Sequence, residues 1–333
     1  MNITILGAGA WGTALAIALS RDNQLMLWGR NAEAIAAMDA ARENQARLPG
    51  FKLPPSLVLT SDLTQAIAHA ADGLLILATS VAGLRPMLNA IRPHRIPNLV
   101  WLCKGIEDQT TMLPHQIVQQ VLGDDVMCGA LSGPSFAQEV ARGLPCALTI
   151  GASSAALRER VVSAVHGGSI RVYSTDDLVG VEVGGAVKNI LAIATGITDG
   201  LGLGLNARAA LITRGLAEIA RLGTALGGRL ETFMGLTGMG DLILTCTGDL
   251  SRNRRVGLGL AAGKSLQTIT AELGHVAEGV QCVQAMRQLA NTHHIDMPIV
   301  DAVARVLFEN EAPEKMVQNL LAREARDEGN ALR

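Results

Sequence analysis

The sequence predicts an α/β chain in two parts: a doubly wound, largely parallel sheet over residues 1–178 and an all-helical domain over residues 179–333. Three observations predict it. Short apolar runs alternate with helical stretches through the first half, the pattern of βαβ units. Several of those runs are apolar on both faces, as a sheet covered on both sides requires. From about Asp177 the strand signals stop and long helical patterns follow.

In chain order, strands are expected at residues 2–6, 24–28, 73–79, 98–103, 126–131, 147–150 and 170–173. Helices are expected between them, at 11–20, 32–47 and 112–121 among others. The second part reads as helices at 181–195, 207–226, 280–291 and 298–308. Pro298 suits the first turn of the last of these, where its missing N–H costs nothing. The charged tail after about Ala322 is expected to fray. At 333 residues the chain can build two cores. It is 49% hydrophobic but only 2% aromatic, so Ala, Leu, Val, Ile and Gly must do most of the packing.

The formal net charge of -2 argues against a large basic surface for nucleic acid. The five cysteines, Cys103, Cys128, Cys146, Cys246 and Cys282, are scattered and form no C-x-x-C pair. Reduced, buried thiols are expected rather than disulfides or zinc. His293 and His294 are adjacent and lack metal-ligand spacing. No basic leader precedes the first strand, and no apolar run approaches the ~20 residues of a membrane span. A cytoplasmic protein without a metal is the expectation.

Gly7-Ala8-Gly9-Ala10-Trp11-Gly12 fits G-x-G-x-x-G. It follows an apolar strand and opens a helix, the context of a Rossmann-type dinucleotide site; an ordinary glycine turn between strand and helix is the alternative. Gly7 permits the tight turn, Gly9 lets backbone approach a pyrophosphate, and Gly12 allows close helix–strand packing. The helix N-terminus offers N–H groups to phosphate. The second strand ends Trp28-Gly29-Arg30, with no Asp or Glu for a ribose hydroxyl. Arg30 can pair with a 2′-phosphate, which points to NADP beside NAD; a solvated arginine is the alternative.

Three further segments carry chemistry. Lys104 ends an apolar strand, at the edge where ligands gather in open α/β sheets, unless it merely faces water. Lys188 is the only charged residue between Val183 and Gly196. Burial, or a second cation such as Lys104, would lower its pKa towards the range useful for proton transfer. A structurally paired lysine is the alternative. Gly238-Met239-Gly240-Asp241 can aim a carboxylate, and Ser251-Arg252-Asn253-Arg254-Arg255 is a dense donor cluster suited to phosphate or, failing that, a basic helix start.

Together with Leu131-Ser132-Gly133-Pro134-Ser135-Phe136-Ala137 and Val276-Ala277-Glu278-Gly279, these motifs appear in an order that resembles the bacterial NAD(P)-dependent glycerol-3-phosphate dehydrogenases, over essentially the whole chain. Ala10 departs from that pattern, standing where many relatives carry Ser. The resemblance implies Lys188 as general acid/base. It implies substrate contacts from Lys104, Gly133, Ser135, Lys188, Asp241, Ser251, Arg252 and Asn253. Cofactor contacts would come from Gly7, Gly9, Ala10, Trp11, Gly12, Arg30, Lys104, Ala137, Arg252, Val276 and Glu278. The implied reaction is NAD(P)H-dependent reduction of dihydroxyacetone phosphate to sn-glycerol 3-phosphate, in a homodimer feeding phospholipid synthesis. A β-hydroxy acid dehydrogenase of similar two-domain plan, or a non-catalytic dinucleotide sensor, are the alternatives.

Overall fold

A computed structural model of the chain describes residues 1–96, 98–274 and 277–323. The charged tail, apart from its first residues, and Val276 lie outside the described residues. The first part contains eight strands: β1 Asn2–Leu6, β2 Gln24–Trp28, β3 Val58–Thr60, β4 Leu74–Leu77, β5 Leu99–Trp101, β6 Cys128–Ser132, β7 Cys146–Gly151 and β8 Ile170–Thr175. Their order in the sheet is β3-β2-β1-β4-β5-β6-β7-β8. All neighbours run parallel except β6 and β7. The accompanying helices are α1 Ala10–Leu19, α2 Ala32–Ala41, α3 Leu63–His69, α4 Val81–Ile91, α5 Pro114–Leu122, α6 Ala137–Ala141 and α7 Ala155–Val165. β4 and, from Ile3 onward, β1 are buried on both faces because helices cover both sides of the sheet, and the buried Thr4 hydroxyl donates to the Ala66 carbonyl of α3.

Several local expectations change. The helix expected over residues 32–47 stops at Ala41. Arg42 turns left-handed at φ 47°, and its guanidinium donates to the carbonyls of Pro54 and Leu57, which leads the chain back to β3. β3 itself escaped the sequence pattern because three residues, one of them exposed, give no readable periodicity. The strands expected at 73–79 and 98–103 are shorter, as their carboxyl ends leave the sheet to form loops.

The chain divides into two compact units, and the segment Lys104–Leu113 belongs with the second, which otherwise begins at Val179. Ile106 and Leu113 anchor that segment in the second unit's apolar core. The second unit is helical: α8 Leu178–Gly200, α9 Gly204–Ala225, α10 Leu230–Phe233, α11 Asp241–Thr247, α12 Arg252–Ala261, α13 Leu266–Leu273, α14 Glu278–Thr292, α15 Pro298–Phe308 and α16 Pro313–Leu321. A π-helical turn, Leu236–Gly240, runs straight into α11.

α8 is the centre of this unit. It is buried from Gly180 through Thr198. At 23 residues it is long and apolar enough to cross a bilayer, but 89% of its apolar window is buried against protein, which marks a core helix. Pro298 does open α15, as expected. The N–H groups of Ile299 and Val300 donate to the carboxylate of Glu218, a buried residue on α9, so one helix caps another.

α8 and α12 meet backbone to backbone. A Cβ on Gly196 would lie 2.1 Å from the Arg254 carbonyl oxygen, and one on Gly257 would lie 2.1 Å from that of Ile193. Neither neighbour can yield without moving a helix. Gly196→Ala is therefore expected to destabilise the protein by about 1–3 kcal/mol through overpacking. Denaturant unfolding would show it; an unchanged midpoint would mean that the helices separate at no cost.

Candidate functional site

The glycine loop joins β1 to α1. Gly7 has φ 130°, and a Cβ there would sit 2.5 Å from the Ala78 carbonyl oxygen. A Cβ on Gly12 would sit 2.1 Å from the Gly7 carbonyl oxygen, so helix and strand touch. Nothing lies within 4 Å of the Cβ position on Gly9. That open space, above a helix whose N-terminus has no side-chain cap, fits a pyrophosphate. Asn44 secures the loop: its amide donates to the Ala8 carbonyl and to Thr13 Oγ1. Sequence reading missed Asn44, which lies in the stretch taken for helix, within the polar run Arg42-Glu43-Asn44-Gln45 where nothing sets it apart.

Ala10 and Trp11 are half-buried at the start of α1, and Arg30 is exposed just after β2 with no hydrogen bond or ion pair among the described residues. Gly133, at φ 141°, and Ser135 follow β6, the serine hydroxyl donating to the Gly133 carbonyl. Ala137 opens α6, which packs on α1.

In the second unit three charged residues meet. Lys104 Nζ lies 2.6 Å from Asp241 Oδ2, and Lys188 Nζ lies 2.5 Å from Asp241 Oδ1. Lys188 also donates to Thr245 Oγ1 at 3.0 Å. The Thr245 hydroxyl donates in turn to the Asp241 carbonyl. Three elements supply the cluster: the segment after β5, the middle of α8, and α11 just beyond the π turn. π turns recur at functional sites because they re-aim a side chain within a helix. Sequence reading missed Thr245; its place one helical turn beyond Asp241 was the signal.

The electrostatics follow from burial. Lys188 and Asp241 are both almost fully enclosed. Burial, opposed by Asp241 and reinforced by Lys104, lowers the Lys188 ammonium to about 8. Burial would raise the Asp241 carboxyl, but the two lysines outweigh it and hold it below the ordinary carboxylate value. One carboxylate faces two ammonium groups, so the cluster keeps excess positive charge. Such a cluster can stabilise an oxygen that becomes negative, and Lys188 can give or take a proton near neutral pH.

Next to Lys188, Asn189 joins a second network. Its amide donates to Glu278 Oε2 on α14, and its Oδ1 accepts from the Asn253 amide. Asn253 Oδ1 accepts the Gly279 N–H. Asn189 was not singled out from the sequence, although it stood beside Lys188. The Ser-Arg-Asn-Arg-Arg cluster thus separates into different tasks. Ser251 is the N-cap of α12, its hydroxyl accepting the Arg254 N–H. Asn253 is taken up between helices. Arg254 pairs with Asp199 and Asp249. Arg255 is exposed, and half-buried Arg252 has no hydrogen bond or ion pair among the described residues. No group of His, Cys, Asp and Glu among the described residues could hold a metal.

Models of the NAD-dependent glycerol-3-phosphate dehydrogenase N-terminus and C-terminus match residues 2–158 and 177–318. The chain is 71% identical to glycerol-3-phosphate dehydrogenase [NAD(P)+] of Janthinobacterium sp. (strain Marseille), covering 98% of this chain and 99% of the relative. It is 69% identical to the same enzyme of Herminiimonas arsenicoxydans, with the same coverage. The crystal structure of glycerol-3-phosphate dehydrogenase from Coxiella burnetii superposes with a TM-score of 0.92 at 40% identity, covering 96% of this chain and 98% of that one. With a glycine loop, a two-lysine carboxylate cluster and this agreement over both parts, the chain belongs to the NAD-dependent glycerol-3-phosphate dehydrogenase family.

Proposed function

We propose that this chain reduces dihydroxyacetone phosphate to sn-glycerol 3-phosphate, with Lys188 as general acid/base. The observation that carries the reading is the buried Lys104–Asp241–Lys188 cluster, in which Asp241 accepts from both lysines. When bound, a reduced nicotinamide would supply the hydride that the C2 carbonyl accepts. As its oxygen gains negative charge, the Lys188 ammonium stabilises it and donates a proton; in the reverse direction neutral Lys188 accepts one. Asp241 and Thr245 hold Nζ in place, and Asp241 keeps enough positive charge on it for the reduction. Lys104 adds a second cation. Arg252 holds the substrate phosphate, whose binding energy orients the carbonyl without entering the chemistry. Gly133 and Ser135 complete the substrate contacts. Gly7, Gly9, Ala10, Trp11, Gly12 and Ala137 hold the dinucleotide, and Arg30 reads its 2′-phosphate. The finer reading includes a cytoplasmic location, which the scattered unpaired cysteines favour, and a homodimer that supplies phospholipid synthesis, which the motif resemblance supports.

The reading is tested by oxidation of NADPH with dihydroxyacetone phosphate, followed by absorbance. Lys188→Ala should abolish turnover and leave dinucleotide binding intact; normal turnover in the folded variant removes Lys188 from the mechanism. Reduction needs the protonated lysine, so kcat should fall as pH rises through about 8. Asp241 raises that value, so Asp241→Asn should move the midpoint to lower pH. A midpoint that stays put would assign the titration to another group.

Arg252→Lys should weaken substrate binding, because an ammonium cannot reproduce the two-pronged donor geometry on a phosphate. Losing one charge-assisted contact costs roughly 1.5–3 kcal/mol, on the order of ten- to a hundredfold in kcat/KM. Unchanged kinetics in both Arg252→Lys and Arg252→Ala would move the phosphate elsewhere.

Arg30→Asp should weaken NADPH far more than NADH, since it sets a negative charge against the 2′-phosphate. Binding titrations with each nucleotide decide it; equal losses would show that Arg30 does not read the 2′ position.

A further inference from the structure

Arg252 sits at the first turn of α12, and α12 is held to α8 in an unusual way. Helices ordinarily settle their relative rotation by interlocking rows of side chains. Here the crossing is made by glycines. Besides Gly196 and Gly257, a Cβ on Gly200 would lie 2.5 Å from the Ala261 methyl. Smooth backbone surfaces set the distance between two helices but supply few side chains to lock rotation or sliding.

The Asn253–Asn189 amide bond supplies one lock, and an ion pair supplies a second. Asp199, on the last turn of α8, is nearly buried, with 7% of its side chain exposed. Its Oδ2 accepts Arg254 Nε at 2.8 Å, and its Oδ1 accepts Arg208 Nε from α9 at 2.7 Å. The other arm of Arg254 reaches Asp249, before the helix, at 2.9 Å. Arg254 therefore ties the start of α12 to α8, to α9 through the shared carboxylate, and to the loop ahead of it. Successive helical residues turn by about 100°, so Arg252 and Arg254 leave α12 some 200° apart. Together with the Asn253–Asn189 bond, fixing Arg254 against Asp199 fixes the direction of Arg252. Lys188 lies eleven residues before Asp199, about three turns along the same face of α8. One helix therefore carries both the acid/base lysine and the anchor that orients the phosphate-binding arginine.

We propose that the Asp199–Arg254 pair is a positioning device that sets the rotation of α12, and through it the selectivity of the site for a phosphate-bearing substrate. The proposal rests on the reading that Arg252 holds the phosphate. Arg254 touches no substrate; it acts through Arg252.

The test compares kcat/KM for dihydroxyacetone phosphate with that for dihydroxyacetone, supplied at high concentration, in wild type, Asp199→Asn, Arg254→Gln and Arg254→Lys. For Asp199→Asn and Arg254→Gln the ratio of the two should drop about tenfold, through a higher KM for the phosphorylated substrate, with kcat and dihydroxyacetone reduction within twofold of wild type. Arg254→Lys, which keeps the charge but not the two-armed reach, should fall between; it also serves if the other variants fail to fold. A merely structural role would lower both substrates alike and leave the ratio unchanged, which would overturn the proposal. Arg252→Ala is the control. If it lowers the ratio while the Asp199 and Arg254 variants do not, the positioning role fails and the phosphate reading stands. If Arg252→Ala also leaves the ratio unchanged, the phosphate reading fails and takes the proposal with it.

Discussion

The second unit is organised around the requirement that a charged lysine buried in an apolar helix must have a partner. Lys188 is enclosed in the middle of α8, where an isolated ammonium would be far too costly. Asp241 answers that cost, and Lys104 and Thr245 complete the arrangement. Removing Asp241 would leave two buried ammonium groups uncompensated, so the carboxylate is the member the cluster can least lose. The same balance leaves Lys188 able to exchange a proton near neutral pH, because burial and a second cation oppose the carboxylate.

Everything that brings Asp241 and Lys104 to this point can be traced to local backbone choices. The π turn Leu236–Gly240 delivers α11 with Asp241 at its first position. Gly238 and Gly184 allow the approach: a Cβ on Gly238 would strike the Phe233 carbonyl, and one on Gly184 that of Thr237. Lys104 arrives because the segment it opens packs with the helices, through Ile106 and Leu113, rather than with the strand it leaves. The asparagine chain from Glu278 through Asn189 to Asn253 then links α8, α12 and α14 beside the lysine. Small residues and amides do here what large side chains do in most cores, as expected of a chain with so few aromatics.

The glycine loop shows the same economy in the first unit. Its three glycines serve distinct ends: φ freedom with close approach at Gly7, open space at Gly9, and contact between helix and strand at Gly12. Asn44 braces it from below with bonds to the Ala8 carbonyl and Thr13.

By itself the sequence determined the alternation of strands and helices, the change to an all-helical part, the glycine loop, and the isolation of Lys188. These are properties of period, composition and short motifs, and they are carried by residues close together in the chain. It could not show that Arg42 would end a helix, that Val58–Thr60 would join the sheet, or that Glu218 would cap a helix 81 residues away. The donor cluster at 251–255 read as one group because its residues are adjacent. Only the tertiary structure divided it into a cap, an inter-helix amide, an ion-paired anchor and a half-buried arginine. The reason is that hydrogen bonds and ion pairs are distributed by which helices meet. Lys104, Lys188 and Asp241 are far apart in sequence and become one site only when three elements converge.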